Sequence, residues 1–242
     1  MVLFDRESDH SSRPHRGVIL LETHHGLRYN DTQLFLAQFK LDLPMSTALK
    51  RISTQEYLRR ERQATFKSEF FQGEMFDMVG GSANHSLIAA NFVREAGNVL
   101  KDRPCAVFSS DLRVRVRPTG LYTYPDATIV CGELEFDDEQ HDTITNPTVI
   151  VEVLSDSTEK YDRGRKADHY RQISSLKELV LIAQDYPHIE RFTRRPDGGW
   201  LFHEEKNLTA SFELPSLEIS VMLSELYRNV RFESTTEPES NG

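Results

Sequence analysis

The sequence predicts an α/β domain built on a central mixed β-sheet flanked by helices. Three observations carry that expectation. The apolar positions Leu87, Ile88, Phe92, Val93, Ala96, Val99 and Leu100 recur at helical spacing, so 84–101 reads as an amphipathic helix. YPDATIVC and TVIVEVL read as short, strongly apolar strands. The order helix–strand–strand–strand–helix–strand departs from a strict βαβ series and suits a mixed sheet. A Rossmann arrangement is excluded because no Gly-rich turn follows an early strand. GSANHS lacks the glycines and lysine that cradle phosphate in a P-loop.

Element by element, residues 1–44 read as a weakly ordered N-terminal extension, or as a translation start placed too early. They hold four scattered histidines and one short amphipathic piece, TQLFLAQFKLDL. A domain over 45–231 follows, and 232–242 have the composition of a disordered tail. Within the domain, Thr54-Gln55-Glu56-Tyr57-Leu58 opens a short polar helix. FKSEFFQGEMFDMVG reads as a hairpin turning at Gln72-Gly73. After the 84–101 helix come the strands CAVFSS and DLRVRVRP, then YPDATIVC, an acidic loop GELEFDDEQHDTITNP, and TVIVEVL. A helix is expected at about 161–173. KELVLIA, HIERFTR and WLFHEE close the series as strands, with Pro196-Asp197-Gly198-Gly199 as a tight turn.

Composition narrows the function classes. The 242 residues are 38% hydrophobic and 28% charged, as in an ordinary globular protein. No stretch approaches the roughly 20 apolar residues that span a bilayer, and the charged N-terminus lacks a signal core. Two cysteines, Cys105 and Cys131, make no disulfide framework and read as inert residues of apolar strands, which fits a reducing cytoplasm. A net charge of −9 opposes broad binding to nucleic acid. Any such contact must rest on local geometry. Arg113, Arg115 and Arg117 alternate with Leu112, Val114 and Val116. That stripe suits phosphate contact, although a solvated face of a half-buried strand is the more frequent meaning of such a pattern.

Chemistry concentrates at two carboxylates. TVIVEVL is apolar but for Glu152, and an isolated ionised carboxylate there is costly unless paired or metal-bound. Asp126 sits in a similar setting at the start of PDATIVC. If the strands are neighbours, both carboxylates converge where the chain leaves the sheet, and two hard oxygens suit Mg²⁺ or Mn²⁺. The Val153 backbone carbonyl is a further candidate ligand. Taken singly, Glu152 reads equally as a water-facing edge residue and Asp126 as a turn cap. Downstream, Lys166, Tyr170 and Ile173 fall at i, i+4 and i+7, so the lysine shares a stripe with core-type residues. An inward lysine beside carboxylates stabilises developing negative charge. A surface lysine snorkelling into water is the alternative that position alone favours.

The runs SEFFQGEMFDMVGGSANHSLIAAN, CAVFSSDLRVRV, TYPDATIVCGELEF, TNPTVIVEVLSDSTEKYDRGRK and HYRQISSLKELVLI resemble the Uma-type restriction endonuclease family, a bacterial group within the PD-(D/E)XK nuclease superfamily. The likeness spans about 46–230. It implies a restriction endonuclease-like core and Mg²⁺-dependent hydrolysis of a phosphodiester, with nucleic acid, DNA above all, as partner. By position Asp126 becomes the motif aspartate and Glu152 the motif glutamate. The superfamily's lysine two residues after the glutamate is replaced by Leu154, and the resemblance points to Lys166 on the next helix instead. Glu74 and His85 lie in recurrent family stretches. Glu74 is expected as a further carboxylate near the metal, and His85 as a group that reaches phosphate or orients Glu74, or else as a helix-start residue that caps or packs. Glu69 is expected to be structural.

The mechanism this implies is that Asp126 and Glu152 hold the ion while Lys166 neutralises charge on the phosphorus. Two rivals stand beside it. A nuclease fold without turnover would bind nucleic acid or a protein partner, and the missing lysine at 154 favours that. A hydrolase of small phosphorylated molecules would suit the low basic content. Oligomeric state stays open, although a homodimer suits cleavage of both strands.

Overall fold

The structure, a computed structural model, describes residues 51–232. The expected 1–44 extension and nearly all of the 232–242 tail lie outside the described residues. The first described helix, α1 (Thr54–Glu61), is capped by Ser53, whose hydroxyl accepts from the Glu56 N–H, as a Ser N-cap should. The hairpin β1 (Ser68–Phe71) and β2 (Glu74–Asp77) turns at Gln72-Gly73, both at positive φ, 49° and 89°. That is the backbone a two-residue primed turn needs. A Cβ on Gly73 would also meet the Arg51 Cβ at 2.6 Å, so the position admits glycine on both counts.

Helix α2 (Ala83–Leu100) is capped by Ser82 and buries Ile88, Phe92, Ala96 and Leu100, the face its spacing predicts. Then follow β3 (Cys105–Ser109), β4 (Arg113–Val116), β5 (Leu121–Thr123), β6 (Ala127–Cys131), β7 (Thr143–Ile144) and β8 (Val149–Leu154). The helical segment after β8 is interrupted. A turn of α3 (Glu159–Tyr161) passes into a π-helical turn over Asp162–Lys166 and then α4 (Ala167–Tyr170). This corrects the regular helix expected at about 161–173. A π turn widens the backbone locally, and such turns recur at functional sites. Strands β9 (Glu178–Ala183), β10 (Ile189–Arg194), β11 (Trp200–Glu205), β12 (Ser211–Leu214) and β13 (Ile219–Met222) and helix α5 (Leu223–Leu226) complete the described residues.

Among the described residues three sheets result. The largest has strand order β11-β10-β9-β8-β6-β3, with β8 and β9 parallel and its other pairs antiparallel. A second sheet runs β2-β1-β5-β4-β7, and β12 pairs with β13 alone. The mixed sheet is therefore the predicted one. Its central strands alternate between two cores. Val149, Val151 and Val153 face α2, β12, β13 and α5, whereas Ile150 and Leu154 face β4, β5 and α4. Glu152 lies on this second face, between Ile150 and Leu154, and is buried.

Two expectations about single residues fail. Cys105 and Cys131 oppose one another across the β3–β6 pair with Cα atoms 4.0 Å apart and form a disulfide. That spacing belongs to a close antiparallel pair, which period-two reading of each strand separately could not reveal. The arginine stripe is neither a phosphate contact nor a solvated face along its length. Arg113 is buried, bonds Thr143 Oγ1 and the Tyr124 hydroxyl, and pairs with Asp142 at 3.0 Å. Arg115 pairs with Asp137 at 2.5 Å, and only Arg117, past the end of β4, is exposed. The parallel β4–β7 pair brings the acidic loop against the stripe and neutralises it internally.

Candidate active site

Register builds the site. Ala127 pairs with Val151 across antiparallel β6 and β8, which places Asp126, one residue before β6, opposite Glu152. Directly opposed residues share a face, so both carboxylates come to one place at the end of the sheet. Asp126 is fixed by the Val153 N–H, which donates to its Oδ2 at 2.7 Å. The Val153 N–H therefore contacts the site. From the other layer, the start of α2 brings His85 Nε2 to 3.2 Å from Asp126 Oδ1. The pair is close but not aligned for a hydrogen bond, and both ring nitrogens of His85 are buried without a partner among the described residues.

Glu152 is held from the opposite side. Its Oε1 accepts from the Tyr170 hydroxyl at 2.5 Å and lies 3.0 Å from Lys166 Nζ. Lys166 is only 5% exposed, so the snorkelling alternative does not apply. Its ammonium also faces Glu69 Oε1 at 3.2 Å and Asp162 Oδ1 at 3.4 Å. The π turn brings Asp162 and Lys166 to bear on the site together. Leu154, where the superfamily lysine would stand, is a buried core residue, and Lys166 supplies an amine to Glu152 from the next segment.

Glu69, rather than Glu74, reaches the Lys166 cluster. Glu69 is buried in β1, bonded by the Thr123 hydroxyl, by Tyr161 at 3.0 Å and by Lys166. Glu74 makes no such contact. Its half-exposed carboxylate stands 4.0 Å from Arg51, at the hairpin turn. Sequence pattern alone assigns no role to Asp162 or Tyr161 and places Tyr170 in the core. The usable signal was spacing, because Asp162, Lys166 and Tyr170 recur every four residues.

Burial dominates the electrostatics. It pushes the Glu152 carboxyl well above the usual carboxylate range, against the pull of Lys166. It raises Asp126 also, with the Val153 N–H and His85 opposing. Burial works against the charge of Lys166, yet Glu152, Tyr170, Glu69 and Asp162 outweigh it and hold the ammonium well above its ordinary value. Glu69, Glu152 and Asp162 thus turn three carboxylates toward one ammonium.

The donor set fits a hard divalent ion. Asp126 Oδ1 and Glu152 Oε2 accept no hydrogen bond among the described residues, and opposed strand positions carry them. Mg²⁺ is commonly bound through one or two carboxylates, with water and phosphate oxygens completing its shell.

Comparisons with known proteins place the chain in a family. Residues 54–224 match the sequence profile of Uma2, described as "Putative restriction endonuclease". The chain belongs to the Uma2 family. Two relatives come from Synechocystis sp. (strain ATCC 27184 / PCC 6803 / Kazusa). The uncharacterized protein sll1609 is 37% identical over 170 residues, covering 70% of this chain and 96% of its own. The uncharacterized protein slr1290 is 34% identical over 189 residues, covering 77% and 97%. Among solved structures, the crystal structure of "a putative nuclease belonging to DUF820" from Anabaena variabilis ATCC 29413 superposes with TM-score 0.58 at 19% identity. It covers 73% of this chain and 97% of that one. That likeness concerns the fold. The family supports a nuclease-like character for this Uma2 member.

Proposed function

We propose that this Uma2 protein is a divalent-metal-dependent endonuclease that hydrolyses phosphodiester bonds in DNA, with Asp126 and Glu152 as metal ligands. The observation that carries the reading is the meeting of Asp126, Glu152 and Lys166 at one end of the mixed sheet, with Lys166 Nζ 3.0 Å from Glu152 Oε1.

When bound, Mg²⁺ or Mn²⁺ supplies Lewis-acid activation of water and of the phosphoryl oxygen. The chain's own residues do the rest. Val153 N–H and Tyr170 OH fix the two carboxylates, so little reorganisation is left for the reaction. Lys166 offers positive charge to the negative charge that develops on the phosphoryl group. Glu69 and Asp162 hold that ammonium in place. His85 borders Asp126 from the solvent-side end of α2 and is a candidate for contact with an incoming phosphate. Glu74, beside Arg51 on the hairpin, is left outside this scheme.

The test is cleavage of supercoiled DNA, linear duplex DNA and single-stranded RNA with Mg²⁺, with Mn²⁺ and with EDTA. Metal-dependent nicking or linearisation of DNA by the wild type supports the reading. Binding without cleavage under every metal condition would assign the chain to the non-catalytic binding reading. Hydrolysis confined to small phosphate esters would transfer it to a phosphoesterase.

A further inference from the structure

A second group of metal-ligating side chains lies on the same sheet, outside the Asp126–Glu152 site. His188 precedes β10, Glu190 is its second residue, and Glu204 lies on β11. One ligand atom from each of the three falls within 4.8 Å of the others. His188 Nε2 is 2.9 Å from Glu204 Oε2 and 3.6 Å from Glu190 Oε1. His188 and Glu190 are buried, whereas the Glu204 side chain is 43% exposed, which leaves a route from solvent.

The register shows why this group is unusual. Glu190 stands directly opposite Glu204 across β10–β11. Like charges in that relation destabilise a sheet, and here His188, two residues before Glu190 on the same face, closes the group. The same row continues inward, as Glu190 opposes Leu181 on β9 and Leu181 opposes Glu152 on β8. Leu181 thus separates two carboxylate pairs by two strand spacings, roughly 10 Å. That is too far for one ion to serve both, and too far for the roughly 4 Å of a two-metal centre.

We propose that His188, Glu190 and Glu204 form a separate site for one transition-metal ion of the Zn²⁺ class. The imidazole decides the class. Mg²⁺ prefers oxygen ligands and water, whereas one imidazole with two carboxylates suits Zn²⁺, Co²⁺ or Ni²⁺. Three protein ligands leave one tetrahedral position for water or another small ligand. The charges that face the group are compatible with this. Arg163 bonds Glu190 through Oε2, leaving Oε1 turned to His188. Lys206, 60% exposed, pairs with Glu204 at 3.1 Å and is displaceable at little cost. Tyr186 stacks on the His188 ring at 5.7 Å between centroids and steadies it without taking its Nε2.

The test uses Co²⁺ as the probe on the full chain carrying Asp126→Asn and Glu152→Gln, so the first site is disabled. One equivalent of Co²⁺ with visible d–d absorption, displaced by Zn²⁺, is expected. Adding His188→Ala removes that equivalent, and adding Glu204→Gln instead weakens it by at least about tenfold. The N-terminal histidines remain in every variant, so any uptake by them cancels in the difference. Far-ultraviolet circular dichroism of metal-free protein controls for folding, and Glu204→Gln, at an exposed side chain, provides the second variant should His188→Ala unfold. Cobalt uptake that neither substitution changes, or no uptake beyond that of the other histidines, overturns the proposal. Neither outcome depends on whether the protein cleaves DNA.

Discussion

Lys166 Nζ lies 3.0 Å from Glu152 Oε1, inside a core that excludes nearly all water from both groups. The pair makes Lys166 a structural as well as a chemical element. Glu69, Glu152 and Asp162 all turn carboxylates toward it. Removing one partner of a buried ion pair costs about 3–5 kcal/mol, because the other charges remain buried without compensation. Lys166→Met is therefore expected to lower stability by about that amount in urea denaturation. Adding Glu152→Gln to Lys166→Met should recover part of the loss. A Lys166→Met protein as stable as wild type would show that the cluster is not ionised as described.

Tyr170 donates to the same oxygen at 2.5 Å. A hydrogen bond to a charged acceptor contributes about 1.5–3 kcal/mol. Tyr170→Phe keeps the ring that packs against Ile150 and Leu179, so its cost should fall within that range. Thermal or urea unfolding measures it. Because Glu152 then loses one of its two fixed partners, cleavage is expected to fall while DNA binding stays unchanged. An unaltered cleavage rate would remove Tyr170 from the site's support.

The disulfide closes a loop of sequence separation 26 between adjacent strands. Chain-entropy reasoning for a loop of that size gives about 3.5 kcal/mol. Cys105→Ser with Cys131→Ser, or reduction by dithiothreitol, should lower stability by about that much. The site carboxylates lie at the other end of β6 and β8, so cleavage at a temperature where the variant stays folded should be retained. Equal unfolding midpoints with and without reductant would show that the bond adds nothing to the fold.

Acid should weaken the contact between α1 and the loop before β7. Burial acts to raise Asp142, but the Arg62 hydrogen bond and the Arg113 charge outweigh it and hold its carboxyl below the usual range. A carboxyl with a depressed folded value stabilises the protein above its unfolded value, about 3.9 for aspartate. That contribution falls away as pH drops below it. The stability gap between wild type and Asp142→Asn should be full at pH 7 and shrink below about pH 4. Equilibrium urea titrations at several pH values measure the gap, and a gap that widens on acidification would contradict the assignment.

Much of this architecture was legible in the residues. The helical stripe of α2, the Gln72-Gly73 turn and the apolar runs of β6, β8 and β9 each carry a local signal, and the structure has all of them. Strands β5 and β7 are too short for periodicity to show, and β12 and β13 alternate over only four residues each. What local pattern cannot supply is register. The arrival of Glu69 rather than Glu74 at Lys166, the pairing of Cys105 with Cys131 and the burial of Arg113 against the acidic loop all depend on which strand lies beside which. Helix propensity likewise does not encode the π turn that carries Asp162 and Lys166.

The most direct measurement is Mn²⁺ binding followed by electron paramagnetic resonance in a His188→Ala background, which removes the second cluster from the count. One ion is expected in that parent, and either Asp126→Asn or Glu152→Gln alone should abolish it, since both side chains hold the same cation. If each substitution leaves Mn²⁺ binding intact, or if only one of them matters, the two carboxylates do not share an ion and the proposed hydrolytic site is wrong.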